Sequence, residues 1–387
     1  MKKRKICFII TSFIHYSRNF LILRELNKRT DVELHVVIAG AAVVAKYTSR
    51  DADIRKLLVA DGCSRVHELH FNLEGDGHIV KAKTTGLGIL EFSTIFNDIK
   101  PDIVVVRGDR FEVLSATIAA TYLNITVAHI EGGDLSGTLD ESVRHAITKF
   151  AHIHFVTNEP ARKRVVRMGE KKSYVFYFGS PDIEVVDNLG KRSQNLGIFL
   201  RHGSGASIDI KQPFLMVMYH PVASEVESLT KQTEMLLGVV DKLGLPTVWF
   251  WPNFDVGAEE ISHVLRSFDD TNQGHRIHFM RYLSPQDFIP LLSKASCLVG
   301  NSSAGIKECS YLGTPVVNIG SRQSNRLRTK NVIDVSHKAE AIKKAIATQL
   351  KKGKYEPSRF YFMKNTSKNI ATTLATVSLY TQKKFYE

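Results

Sequence analysis

Four carboxylates fall within the eleven residues Glu131-Gly-Gly-Asp-Leu-Ser-Gly-Thr-Leu-Asp-Glu141, namely Glu131, Asp134, Asp140 and Glu141. Arg144, His145 and Lys149 follow them on a stretch with helical periodicity. Carboxylates held close together push their pKa values apart, so one can act as an acid while its neighbour acts as a base at neutral pH. Acids and bases interleaved in this way suit proton transfer, although a solvated acidic loop has the same composition. Another acid, Asp109, stands in Arg107-Gly-Asp-Arg-Phe-Glu112 with Arg110 beside it. It can cap the helix that follows, act on a substrate, or do both.

The later half carries features that bind anions. Val299-Gly-Asn-Ser-Ser-Ala-Gly-Ile-Lys-Glu308 reads as a strand end, a turn of small residues through Asn301, Ser302, Ser303 and Gly305, and a helix start. Backbone N–H groups and hydroxyls in such a turn can meet a phosphate at the positive end of a helix dipole, and Glu308 can accept from a ribose diol. A serine cap without a ligand reads the same way. Ser321-Arg-Gln-Ser-Asn-Arg-Leu-Arg328 contributes Arg322, Gln323 and Arg326, which can clamp a diphosphate or form a basic loop. His220-Pro221 and Trp251-Pro-Asn-Phe-Asp-Val-Gly257, with Asn253 and Asp255, are further candidates. There is no Walker A sequence and no G-x-G-x-x-G after a strand, which sets P-loop hydrolysis and hydride transfer aside. The cysteines Cys7, Cys63, Cys297 and Cys309 lack metal-site spacing, so buried, reduced thiols and no metal are expected.

Ligands of open parallel sheets bind outside the carboxyl ends of the strands, and most of these features directly follow a strand-like run. Apolar, β-branched runs at residues 6–11, 32–38, 66–71, 102–107, 126–130, 152–156 and 175–178 alternate with helical patterns at 16–28, 78–99 and 111–122. A second series has strands at 214–219, 247–251, 276–280, 297–300 and 316–319, with helices at 226–243, 285–295, 304–311, 338–352 and 365–384. The chain's 387 residues accommodate two domains. We place them at 1–188 and 213–364, with a Gly- and Ser-rich linker at 189–212 and a terminal helix at 365–387 that packs back on the first domain. The expected class is α/β, with two Rossmann-like doubly wound domains facing a cleft.

The net charge of +13 suits an anionic partner. Most lysines lie on solvated helix faces, so nucleic acid is not expected as that partner. No stretch approaches the ~18 apolar residues of a membrane span, and polar residues from Ser12 onward cut short the basic, apolar start. A cytoplasmic protein without a membrane partner is expected.

With these residues assembled, the chain resembles the UDP-N-acetylglucosamine 2-epimerase family, especially its hydrolysing branch. The resemblance is carried by Gly108-Asp109-Arg110, His129-Ile-Glu-Gly-Gly133, Asp140-Glu-Ser-Val-Arg-His-Ala-Ile-Thr-Lys149 and Gly179-Ser-Pro181. His220-Pro221, Asn253 with Asp255, the run from Val299 to Glu308, and Ile319-Gly320 with Arg322-Gln323 extend it into the second half. It implies a glycosyltransferase-B-like fold, with the nucleotide held mostly by the C-terminal domain and the sugar facing N-terminal carboxylates. Asp109, Glu131 and Asp140 then match catalytic carboxylates, and Asp134 competes with Glu131 for one role. His220, Ser302, Ser303, Glu308 and Arg322 match leaving-group and nucleotide contacts.

The implied reaction removes the C2 proton and expels UDP from C1 to give a 2-acetamidoglucal, then adds water and reprotonates C2 from the other face, releasing N-acetylmannosamine. No metal or redox cofactor is required, and a homodimer or dimer of dimers is implied. Family members usually carry Arg-x-Glu-Tyr after the first strand, where this chain has Phe13-Ile-His15-Tyr16. Arg18, in the first helical turn, can supply the missing charge. The departure admits UDP- or GDP-N,N'-diacetylbacillosamine as substrate, or a UDP-deoxy-amino sugar epimerised without hydrolysis. A glycosyltransferase of the same architecture and a non-catalytic nucleotide-sugar binder are the alternatives outside epimerisation.

Overall fold

The β-branched runs pair into two separate seven-stranded sheets. The computed structural model describes residues 3–44, 53–75, 77–190, 203–253, 255–272 and 274–387. The chain divides into one unit of Met1–Leu135, Leu139–Val185 and Tyr361–Glu387, and a second of Ser136–Thr138 and Val186–Phe360.

In the first unit β1 (Arg4–Ile10), α1 (Phe13–Asn27), β2 (Val32–Ile38), α2 (Ile54–Ala60), β3 (Val66–Glu68), α3 (His78–Ile99) and β4 (Ile103–Arg107) come first. They are followed by α4 (Phe111–Tyr122), β5 (Thr126–Ile130), α5 (Leu139–Phe150), β6 (Ile153–Val156), α6 (Glu159–Arg167), β7 (Val175–Tyr177) and α7 (Pro181–Leu189). The strands are parallel in the order β3-β2-β1-β4-β5-β6-β7, which reverses direction between β1 and β4. Along β1, Cys7 and Ile9 join the core formed with Phe92 and Phe96 of α3 and Val113 and Ala116 of α4. Ile6, Phe8 and Ile10 alternate with them toward the opposite face and are equally buried. Burial on both faces explains why these strands read as continuous apolar runs.

The second unit holds β8 (Ser204–Gly205), β9 (Leu215–Met218), α8 (Leu229–Leu243), β10 (Thr247–Phe250), α9 (Ala258–Thr271) and β11 (Ile277–Met280). It continues with α10 (Pro285–Lys294), β12 (Cys297–Gly300), α11 (Glu308–Leu312), β13 (Val316–Ile319), β14 (Val332–Val335) and α12 (Ala339–Lys352). The order is β14-β13-β12-β9-β10-β11-β8, parallel except for β8, and it reverses between β9 and β12. Leu215 and Val217 face the core with α8, α9 and α12, whereas Phe214 and Met216 face the one that includes Leu291 and Leu292 of α10. Such reversals are where ligand crevices open in doubly wound sheets.

Several elements depart from the sequence expectation. Helix α1 starts ahead of residue 16, because the Ser12 hydroxyl accepts the His15 N–H at 3.2 Å and caps it. The expected strand 66–71 pairs only over Val66–Glu68. The helix expected at 226–243 begins at Leu229, after a 3-10 segment containing the non-helical Glu225. Of the expected linker, residues 191–202 lie outside the described residues, and Ser204–Gly205 forms an edge strand on β11 with Gly203 and Gly205 at positive φ. The helix expected at 304–311 is a 3-10 turn at Ser303–Gly305 followed by the short α11, which ends at Gly313 with φ +67°.

The last helix, α13 (Thr366–Thr376), packs on α1 and stops well short of residue 384. Beyond it the chain gives its hydrogen-bonding groups to the first unit instead of to a helical ladder. The Thr126 hydroxyl donates to the Tyr380 carbonyl at 3.1 Å, and the Tyr380 hydroxyl to the His152 carbonyl at 2.9 Å. The Lys383 ammonium donates to the carbonyls of Lys149 and Ala151 and meets the buried Glu170. Among the described residues no helix is long and apolar enough to cross a membrane.

Candidate functional site

At the carboxyl end of β4, Gly108 takes φ +73° and its carbonyl accepts from His129 Nε2 at 2.9 Å. Burial holds the His129 pKa down to about 3, so the ring is neutral; Nε2 carries the proton and Nδ1 accepts from Thr148 at 3.1 Å. This fixes the turn that presents Asp109. Asp109 is not the cap of α4: the N-cap residue is Arg110, without a side-chain cap bond. The Asp109 carboxylate instead pairs with the guanidinium of Arg144, a residue only 1% exposed. Arg144 Nη1 also donates to the Asp134 carbonyl at 2.9 Å, so one buried arginine from α5 links two acidic segments. Arg110 turns to the fully buried Glu112, at 3.0 and 3.1 Å.

Glu131 follows β5 with φ +73°, a conformation that costs a non-glycine residue energy and often marks a functional position. Its backbone N–H donates to the Phe155 carbonyl at 2.8 Å. Its buried Oε2 accepts from Arg107 Nε and Nη2 at 3.1 and 3.0 Å. Arg107 also meets Asp182 and donates to Asn19 Oδ1 at 3.4 Å. Asp134, likewise buried, accepts from the Thr157 hydroxyl and the Asn158 amide, each at 3.1 Å. Glu131 therefore sits on the Arg107 guanidinium, and Asp134 accepts from Thr157 and Asn158.

Asp140 is half-buried in the first turn of α5. His145, one turn on, has Nε2 3.9 Å from Glu141; burial lowers its pKa, Glu141 opposes this, and Arg144 and Arg164 reinforce it. After β1, His15 Nδ1 shares a hydrogen bond with the Thr11 hydroxyl at 3.0 Å. Burial, then Arg110, Arg107 and Arg18, hold the His15 pKa well below its ordinary value. Arg18 is turned toward Asp182, Nε to Oδ2 3.7 Å, with its side chain 21% exposed.

In the second unit, Asn301 at the end of β12 grips the backbone at the end of β9 in both directions. The His220 N–H donates to Asn301 Oδ1 and Asn301 Nδ2 donates to the His220 carbonyl, both at 2.7 Å. The His220 ring is buried, and its Nδ1 accepts the Asn253 N–H at 3.2 Å. Burial, aided by Arg322 and opposed by Asp255, takes its pKa down to about 3. A neutral ring with an occupied Nδ1 carries its proton on Nε2, so His220 is a hydrogen-bond donor.

The Asn301 carbonyl accepts from Arg322 at 3.3 Å and from Gln323 at 2.9 Å, and Arg322 lies 3.6 Å from Asp255. Asn301, His220, Asn253, Asp255, Arg322 and Gln323 thus converge at the β9/β12 reversal. Ser302 caps the turn through the Ala304 N–H at 3.3 Å, Ser303 and Arg326 are half-buried, and Gly305 and Glu308 are buried. The helix start expected there is a 3-10 turn at Ser303–Gly305 followed by the five-residue α11. Among the described residues no cluster of three His, Cys, Asp or Glu side chains could hold a metal ion.

Arg107, Asp182, Asn19, Thr157 and Asn158 were not among the sequence candidates. Arg107 did leave a signal, as a charged residue closing an otherwise apolar strand; the others reach the site only through pairings distant in sequence.

The family described as UDP-N-acetylglucosamine 2-epimerase matches residues 24–375. The UDP-N,N'-diacetylbacillosamine 2-epimerase (hydrolyzing) of Legionella pneumophila is 33% identical, over 98% of this chain and 97% of its own. The UDP-N-acetylglucosamine 2-epimerase of Neisseria meningitidis is 30% identical, over 87% of this chain and 84% of its own. The structure of Methanocaldococcus jannaschii UDP-GlcNAc 2-epimerase in complex with UDP-GlcNAc and UDP aligns over 96% of this chain and 99% of that one. Its TM-score of 0.77 at 18% identity establishes the glycosyltransferase-B-like α/β fold. With a family match over most of its length and relatives aligned nearly end to end, the chain belongs to the UDP-N-acetylglucosamine 2-epimerase family.

Proposed function

We propose that this nucleotide-sugar 2-epimerase is a hydrolysing enzyme acting on a UDP-linked 2-acetamido sugar, with UDP-N,N'-diacetylbacillosamine ahead of UDP-N-acetylglucosamine. The observation that carries the acid–base reading is the set of Asp109, Glu131 and Asp134 in one unit, held in turn by Arg144, by Arg107, and by Thr157 with Asn158. Different environments let carboxylates divide the roles of acid and base. One ionised carboxylate takes the C2 proton while the C1–O bond breaks and its electron pair leaves with UDP. His220, neutral with Nε2–H, donates a hydrogen bond to the departing phosphate. Water then adds at C1 of the 2-acetamidoglucal, and C2 is reprotonated from the opposite face. Asp140 serves the same chemistry from α5, and His145 on the same helix contacts the substrate. Asn253, Asp255, Asn301, Ser302, Ser303, Gly305, Glu308, Arg322, Gln323 and Arg326 hold the nucleotide, without metal or redox cofactor. The enzyme works in the cytoplasm as a homodimer or dimer of dimers.

The preference for the diacetylated sugar draws on the Legionella relative and on Phe13 and His15. An apolar ring and a neutral imidazole stand where an arginine and a glutamate are usual.

The test incubates the purified protein in D2O with UDP-N-acetylglucosamine and with UDP- and GDP-N,N'-diacetylbacillosamine, following nucleotide release and C2 deuteration by NMR. The expected result is UDP release with deuterated, C2-inverted free sugar, fastest from the UDP-bacillosamine substrate. A nucleotide-linked epimer without UDP release refutes hydrolysis, and a faster UDP-N-acetylglucosamine reaction refutes the sugar preference. No release and no exchange with any of the three refutes the whole reading.

A further inference from the structure

Four buried or partly buried charges of alternating sign run from α1 to the end of β5: Arg18, Asp182, Arg107 and Glu131. Arg18 Nε lies 3.7 Å from Asp182 Oδ2, Asp182 meets Arg107, and Arg107 grips Glu131 Oε2 through two nitrogens. Arg107 and Asp182 are each no more than 2% exposed. Asp182 enters from the first turn of α7, where an acid is also favoured by the helix dipole. Reading Glu131 as an acid–base residue leaves the purpose of Asp182 unexplained. A carboxylate given a whole guanidinium is a poor base, because the neighbouring positive charge favours its ionised form.

We propose that Arg107 and Asp182 are positioning residues that set the proton affinity of Glu131. Arg107 orients the carboxylate and keeps it ionised, while Asp182 takes a share of the Arg107 charge so that Glu131 can still accept a proton. Other charged and titratable groups on the packed elements have partners of their own: Glu184 of α7 accepts the Ser367 N–H at 2.7 Å, and His154 of β6 lies 3.1 Å from Glu170. His15 of α1 is kept neutral by burial and by Arg110, Arg107 and Arg18. Arg144 of α5 is engaged with Asp109 and the Asp134 carbonyl. His129 of β5 is neutral, and Arg110 is bound to Glu112. Asn19 of α1 adds a neutral acceptor to Arg107 at 3.4 Å.

The inference rests on the acid–base reading of Glu131, and the test separates the two. UDP release and C2 exchange are measured against pH for wild type, Glu131→Gln, Asp182→Asn, Arg107→Met and the double variant Arg107→Met/Asp182→Asn, with circular dichroism to confirm folding. Glu131→Gln is expected to lose about 10²- to 10⁴-fold. Asp182→Asn removes a repelling charge, so the acidic limb of kcat/KM moves to lower pH. Arg107→Met removes the attracting charge, and the limb moves to higher pH, each by about one pH unit. The double variant, with one charge of each sign removed, gives a limb between those of the singles. If Arg107→Met fails to fold, Asp182→Asn and the double variant decide. Acidic limbs that coincide with wild type in those variants, while Glu131→Gln is inactive, overturn the proposal and leave the acid–base reading standing. A Glu131→Gln enzyme as active as wild type overturns both.

Discussion

Replacing Asn301 with alanine tests whether the β9/β12 reversal is held by one side chain. The substitution removes both 2.7 Å hydrogen bonds to the His220 backbone. It leaves intact the backbone bonds of residue 301, from its N–H to the Met218 carbonyl at 3.0 Å and from Gln323 to its own carbonyl at 2.9 Å. His220 and Asn301 are both buried, at 2% and 1% exposure, so water cannot readily replace the lost partners. Each buried backbone group left unsatisfied costs about 1–3 kcal/mol, which puts the loss for the pair at roughly 2–6 kcal/mol, with about 3 as the working value. For a unit the size of Val186–Phe360 that lowers Tm by roughly 6–12 °C. With a urea m-value of ~2–3 kcal/mol/M, the midpoint falls by about 1–1.5 M. The assay can be confined to the second unit because both tryptophans, Trp249 and Trp251, belong to it. Their fluorescence follows urea unfolding there, while circular dichroism follows both units. Asn301→Asp keeps an acceptor for the His220 N–H but sets a carboxylate oxygen against the His220 carbonyl, so it is expected to be at least as damaging. A fluorescence midpoint within about 0.3 M of wild type for Asn301→Ala refutes the clamp.

Three further outcomes follow from the electrostatics. Burial pushes the Glu170 carboxyl up, but His154, Lys149 and Lys383 outweigh it and hold it down to about 2, against an ordinary 4.5. A lowered acid stabilises fully above its unfolded value and loses that contribution as pH falls through the folded one, so Glu170→Gln should flatten acid unfolding between about pH 4.5 and 2, read by circular dichroism. His220 should remain neutral with its proton on Nε2 from pH 5 to 8, and a titrating imidazole in nitrogen-detected NMR of a labelled sample would contradict its assigned tautomer. Lys383→Met should destabilise the first unit by about 1–3 kcal/mol, measured by thermal melting, because it breaks charge-assisted bonds to Glu170 and to two backbone carbonyls.

The fold was legible because burial on both faces forces long apolar strands, and helices between them carry their own period. Runs such as residues 102–107 and 126–130 therefore declared their state locally. What failed was decided by partners distant in sequence. The tail after Thr376 has ordinary helix formers such as Leu379, Gln382 and Lys383, yet it forms no helix because Thr126, His152 and Glu170 take its polar groups. Helix α9 follows Gly257 with no side-chain cap, and β14 is a half-buried edge strand interrupted by Asp334, so neither carried a strong local mark. The candidate acids were visible because they crowd one loop. Their partners were not: Arg107 and Asp182 are 75 residues apart, and only the sheet order brings them together.

Restoring the usual Arg-x-Glu at Phe13 and His15 would place two new charges among partners that are already paired. The sequence alone treats that position as lacking charge and Arg18 as a replacement. In the folded chain, Arg18 and Arg107 already share Asp182, and Phe13 is 9% exposed and packed against Tyr16 with ring centroids 6.2 Å apart. An arginine at residue 13 must bring a new cation into that packing, and a glutamate at residue 15 must lose the Thr11 hydrogen bond and face Arg110, Arg107 and Arg18. The new carboxylate would compete with Glu131 and Asp182 for the same guanidinium groups. Burying a charge whose partners are already engaged costs several kcal/mol. Phe13→Arg/His15→Glu is therefore expected to lower Tm and to reduce kcat/KM at least tenfold on the preferred sugar nucleotide, measured by UDP release. A double variant as stable as wild type and faster on UDP-N-acetylglucosamine would show that the β1 end tolerates the usual charges and that the Arg18–Asp182–Arg107 arrangement does not stand in for them.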